Sequence, residues 1–132
     1  MEQVGTFRGE QVRQLVDWAY VAGLVDGEGC ISFHGSSTPQ VQITNTSLPM
    51  LKRVQRITGC GRVYKSHSST EKHRKAYRWE CYGKNARRVL RHIAPFLTTK
   101  YSQARLLLDL PPDEPEERQA LAAEVKRLKK VC

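Results

Sequence analysis

The 132-residue chain lacks paired cysteines. Its four, Cys30, Cys60, Cys81 and Cys132, form no CxxC pair and no Cys/His cluster at zinc spacing. A secreted disulfide scaffold and a zinc module are set aside, and reduced, partly buried thiols are expected. Long apolar runs are missing as well. None approaches the ~20 residues of a membrane span, so no membrane is expected among the partners. The opening residues, MEQVGTFRGEQVRQ, are polar and read as neither signal nor transit peptide. A soluble intracellular protein is expected. Acid is scarce too: 13 Asp plus Glu face 22 Lys plus Arg, a formal charge of +9. Between Lys52 and Arg91 the only acids are Glu71 and Glu80, whereas the C-terminal stretch DLPPDEPEERQALAAEVKRLKK is mixed. Positive charge concentrated in the middle of a small chain implies a polyanion as partner.

What is present reads as one domain with one ordinary core. Residues 1–9 form a lead-in, residues 10–110 the domain and residues 111–132 a helical tail. From Glu10 to Val25 the pattern is helical: Val12, Leu15, Val16, Ala19, Ala22 and Gly23 recur at three- and four-residue steps. This is either one helix or two joined near Asp17, a possible N-cap. After Gly29 the period switches to two. Ile31 and Phe33, then Val41 and Ile43, alternate with polar residues on either side of GSSTP, which predicts a hairpin. SLPMLKRVQRITG is an amphipathic helix capped by Ser47, with Pro49 in its first turn and Gly59 at its end. GRVYKSHS and KAYRWECYG are two further strands. KNARRVLRHIAPFL is a helix ending near Pro95, TTKYSQARLLLDL begins another, and Pro115 onward is a last one.

The expected fold is therefore α+β: an αββαββα unit with one antiparallel sheet, helices on one of its faces, and an extra C-terminal helix. The strand alternation sends the apolar residues to the helices. The opposite face collects Ser32, His34, Gln40, Gln42, Thr44, Arg62, Tyr64, Ser66, Arg78 and Glu80. It is either an ordinary solvated face or one that lies in a DNA major groove, where such side chains match base-edge donors and acceptors. The net charge favours the groove. His67 and His73 sit in a charged loop and read as phosphate-contacting or solvated.

One short stretch, VAGLVDGEG over residues 21–29, departs from this basic character. Gly23 and Gly27 are four apart and share a helix face. Two glycines in a helix interior cost roughly 1 kcal/mol each. Without side chains there a second helix can come backbone to backbone. The chain carries the stretch once, so a second copy is the natural partner and a two-fold dimer follows.

The stretch resembles the LAGLIDADG motif of homing endonucleases, with Ala22, Gly23, Asp26, Gly27 and Gly29 in the motif's own positions. APFLTTKYSQARLLL resembles the family's late segment, and the resemblance spans the chain except residues 1–9 and the tail after Pro111. It implies a sheet saddle formed by two copies, with Ala22, Gly23, Asp26 and Gly27 at their interface. It implies that Glu28 is the acidic metal ligand, with the Gly27 carbonyl as a second ligand for Mg²⁺ or another divalent cation such as Mn²⁺. Asp26 would tie the motif helix at the interface and bind no metal. Lys100, and either Asn45 or its neighbour Gln42, would surround the attacking water, although Lys100 also reads as an ordinary surface lysine. The function implied is a metal-dependent, site-specific endonuclease, active as a homodimer on a long, partly palindromic site in double-stranded DNA. It would be intron-encoded and would work in cytoplasm, nucleoid or organelle matrix. The alternatives are a maturase-like protein that binds intron RNA, and a DNA-binding regulator of the same fold without cleavage.

Overall fold

The computed structural model of the chain describes residues 9–34, 38–66, 75–109 and 127. Helix α1 (Gly9–Glu28) is a single unbroken helix through Asp17 and runs straight into strand β1 (Gly29–His34). Strand β2 (Thr38–Asn45) completes the first hairpin, and α2 (Leu48–Thr58) follows. Local signals bound α2: the Ser47 hydroxyl accepts from the Met50 N–H at 3.3 Å, and Gly59 closes it at φ 70°. Strands β3 (Arg62–Lys65) and β4 (Tyr77–Tyr82) precede α3 (Gly83–Ile93). Pro95 cannot continue α3, and Ala94–Phe96 tighten into a 3₁₀ turn before α4 (Tyr101–Leu108). The order is the expected αββαββα followed by a helix. The last helix, from Pro115, and the loop carrying His67 and His73 lie outside the described residues.

The four strands form one antiparallel sheet in the order β1-β2-β4-β3. Its apolar face, built on Ile31, Val41, Ile43, Trp79 and Cys81, packs on Val21, Ala22 and Val25 of α1, Leu51 and Val54 of α2, and Val89, Leu90 and Ile93 of α3. Trp79 is fully buried, and its indole N–H donates to the Cys60 carbonyl at 3.0 Å. Stacking of Trp18 on His92 and of the Arg53 guanidinium on the Tyr20 ring fixes α1 against α3 and α2. Cys30, Cys60 and Cys81 are not disulfide-bonded, and Cys132 lies outside the described residues. A hydrogen bond from the Cys81 thiol, helped by Thr58 and Arg88 against the effect of burial, draws Cys60 well below the usual thiol range, and the same bond together with burial pushes Cys81 up. No described helix is long and apolar enough to cross a membrane.

Helix α1 is apolar on two sides. Trp18, Val21 and Val25 turn to the core, whereas Val12, Leu15 and Val16 remain 44%, 45% and 56% exposed. Steps of 100° put these three on one face with Ala19, Gly23 and Gly27, and both glycines are exposed with nothing within 4 Å of where a Cβ would stand. Ala22 corrects the expectation that placed it with them. It falls on the flank toward the sheet and is fully buried in its own chain.

Gly29 is the motif glycine that admits a close approach inside the chain. A Cβ there would lie 2.8 Å from Val25 Cα and 2.9 Å from the Gln42 carbonyl oxygen, both backbone atoms. Gly29→Ala is expected to destabilise the fold by roughly 1–3 kcal/mol. The check is a lowered midpoint in denaturant at unchanged slope. A midpoint equal to that of the parent protein would contradict the packing of α1 onto β2.

Candidate active site and nucleic-acid interface

Helix α1 ends at Glu28, and its last four carbonyls lack partners within the helix. That end carries partial negative charge, so acids there are unfavourable unless something holds them. Asp26 is held by backbone donors. Its carboxylate accepts from the N–H of Thr98 at 2.7 Å and from that of Lys100 at 3.0 Å. Lys100 answers from the other side, its ammonium donating to the Asp26 carbonyl at 2.7 Å. The two residues clasp the end of α1 to the start of α4. Lys100 is 4% exposed, which removes the reading of an ordinary surface lysine. Asp26, expected to tie the helix at an interface, ties it to its own chain.

Glu28 itself is exposed, next to the exposed Gly27. The Asn45 amide donates to Glu28 Oε1 at 2.5 Å, and the Asn45 oxygen accepts from the Ser47 N–H at 2.8 Å, which fixes the direction of the amide. Asn45 therefore comes to the site and Gln42 does not. Strand alternation explains the choice. Residue 45 shares its side of β2 with Ile43, toward the helices, whereas Gln42 points to the opposite face and accepts from Gln40 at 3.0 Å.

The donor set at the end of α1 is all oxygen: the Glu28 carboxylate and the backbone carbonyl of the exposed Gly27. It suits a hard divalent cation such as Mg²⁺, Ca²⁺ or Mn²⁺ and contains no thiolate or imidazole for a softer one. Among the described residues no three His, Cys, Asp or Glu side chains gather. At this end of α1 the one exposed carboxylate is that of Glu28.

The opposite face of the sheet carries the expected polar set. Register pairs Ser32 with Gln40, Gln42 with Glu80, Thr44 with Arg78, Arg62 with Glu80 and Tyr64 with Arg78. His34 stands opposite Thr38, and Ser66 continues the alternation of β3. Cys30, Thr38 and Tyr82 share this face by the same period-two count.

Three of the expected contacts need correction. Ser32, Gln40 and Glu80 are buried in the chain itself and present little surface. The exposed surface comes instead from residues such as Arg62. Arg78 is aligned by its Nε, which donates to the Thr44 hydroxyl at 3.2 Å. Burial alone would raise the Glu80 pKa. Hydrogen bonds from Tyr64 and Tyr82 and the charges of Arg62 and Arg78 outweigh it, and the carboxyl lies below its usual range.

A family model described as a LAGLIDADG-like domain matches residues 16–94. Among solved structures, the homing endonuclease I-CvuI in complex with its target in the presence of Ca is 24% identical, with a TM-score of 0.73, over 89% of this chain and 84% of that one. The same enzyme with the I-CreI target and Mg, its DNA not cleaved, gives 24% and 0.74 over 88% and 83%. An archaeal intron-encoded homing endonuclease, I-Vdi141I, complexed with DNA, gives 17% and 0.64 over 86% and 84%. No curated protein matches by sequence. At these identities the likeness is one of fold.

Proposed function

Because the chain belongs to the family of LAGLIDADG-like domains, we propose that it is a site-specific endonuclease for double-stranded DNA that acts as a homodimer. The observation that carries this reading is the exposed Glu28, aimed by Asn45, at the end of a helix with an open apolar face. Pairing two such faces about a two-fold axis buries Val12, Leu15 and Val16 and brings both Glu28 carboxylates to the axis, beside the duplex. Two acids meeting next to phosphates repel unless cations lie between them. The DNA complexes of structural relatives, formed in the presence of Ca or Mg, support a divalent cation there.

A bound Mg²⁺ would supply charge neutralisation at the scissile phosphate and an acidified water. The chain's own residues do the rest. Glu28 and the Gly27 carbonyl present oxygen ligands, and Asn45 sets the Glu28 rotamer. Asp26 fixes the 98–100 segment, so that Lys100 keeps a buried positive charge at the end of α1. That charge opposes the helix dipole and the negative charge that grows as water adds to phosphorus and the P–O bond to the sugar breaks. An exposed and braced Glu28 favours cleavage over the non-cleaving regulator.

The purified protein with Mg²⁺ is expected to cut both strands of a duplex that joins the sequences flanking its reading frame, at one locus, and to stop in EDTA. Metal-independent cutting would remove the role given to Glu28. Tight binding to the flanking RNA together with inert behaviour toward every such duplex would transfer the reading to the maturase-like class.

A further inference from the structure

Glu80 is an acid in the middle of a surface read as meeting a polyanion. It lies mid-strand in β4 and is 4% exposed. Its carboxylate accepts two hydrogen bonds and faces one cation. The Tyr64 hydroxyl donates to Oε1 at 2.5 Å, the Tyr82 hydroxyl donates to Oε2, and the Arg62 guanidinium stands 3.8 Å from Oε2. Register explains the gathering, since Arg62 is directly across from Glu80 and Tyr64 reaches it on the diagonal. Arg62 also lies over the Tyr64 ring, 4.5 Å from its centroid, yet its side chain is 72% exposed. Beside it an open cleft of about 560 Å³ is bordered by Arg62, Glu80, Tyr82 and Asn85.

Building on the reading of this face as a duplex-binding surface, we propose that Glu80 contacts no base and is the positioning residue of a guanine-reading element, holding Tyr64, Tyr82 and Arg62 so that the exposed Arg62 fork meets a guanine in the major groove. An arginine fork matches guanine O6 and N7 in a bidentate pair. A long side chain loses rotamer freedom when it binds, and a stack plus an ion pair takes that loss before DNA arrives. A carboxylate could instead accept from the cytosine amino group. Glu80 is buried and both its oxygens are engaged, so that role falls away.

The test is selection from a randomised DNA duplex library, without divalent cation, by the full chain and its variants. The wild-type protein is expected to enrich guanine at one position in each half-site, and Arg62→Ala to lower that preference by about tenfold or more. Glu80→Gln is expected to relax the same position and no other. Its affinity for unrelated duplex should hold or rise, because one negative charge is gone. Tyr64→Phe and Tyr82→Phe each remove one donor, and each should relax that position by a smaller factor. They also serve should Glu80→Gln fold poorly. Relaxation at a different base pair from that of Arg62→Ala would mean that Glu80 reads a base directly, and the proposal fails. An unchanged Glu80→Gln profile beside a selective wild type overturns the positioning role alone. A wild type with no preference at all overturns duplex reading itself.

Discussion

Replacement of Glu28 by Gln is expected to lower DNA cleavage by on the order of a thousandfold or more, while the duplex is still bound. The substitution keeps shape and the hydrogen bond from Asn45, since a Gln side-chain oxygen accepts from the Asn45 amide as the carboxylate does. It removes the one acidic oxygen pair that each chain places at the exposed end of α1. Nothing in the core depends on it, so thermal unfolding should be unchanged. Binding provides a second readout of opposite sign. Without divalent cation, two Glu28 carboxylates beside phosphate are repulsive, and Glu28→Gln should bind the same duplex more tightly than the wild-type protein. Retained cleavage by the variant would refute the ligand assignment. Lost cleavage with lost binding would place Glu28 in DNA contact and away from the chemistry.

The parts of this arrangement that follow from short-range rules were legible in the sequence. Ser47, Pro49 and Gly59 bound α2 by local hydrogen bonding and a left-handed cap. Period-two alternation sorted the polar face from the core face of every strand, and the same parity selects Asn45 over Gln42 once β2 is known to end beside α1. The parts that depend on distant residues were not. The Asp26–Lys100 clasp joins positions 74 apart, and a lone lysine after a helix carries no sign of it. Glu80 looked like one more polar reader. Its burial arises because the β3–β4 register brings Arg62 and Tyr64 to it across a loop, a pairing that neither strand specifies alone. Ala22 was misplaced by a smaller margin. Three- and four-residue steps define a stripe too broad to separate a residue facing the sheet from one about 100° further round.

Gly23→Leu is expected to stabilise the single chain and to break the dimer. No atom lies within 4 Å of a Cβ at this position, so the substitution meets nothing inside the fold. A helix-interior glycine costs roughly 1 kcal/mol relative to alanine, and leucine is close to alanine on that scale. Unfolding measured at high dilution should therefore move to slightly higher denaturant. Between two chains the sign reverses. With Val12, Leu15, Val16 and Ala19 on the same face, the bare backbone at Gly23 and Gly27 is where two copies of α1 can come closest. A leucine there forces them apart, at roughly 1–3 kcal/mol per clash. The two-fold axis presents the clash twice, so the dimer dissociation constant should rise by roughly thirtyfold at the least. Sedimentation equilibrium reads the second effect and denaturant unfolding the first. Cleavage should fall with the dimer and return as protein concentration is raised, because the proposed site needs both Glu28 side chains at the pair. A general packing defect would lower stability and association together. An unchanged association constant would show that α1 meets its partner by some other face, and the convergence of the two Glu28 side chains would fall with it.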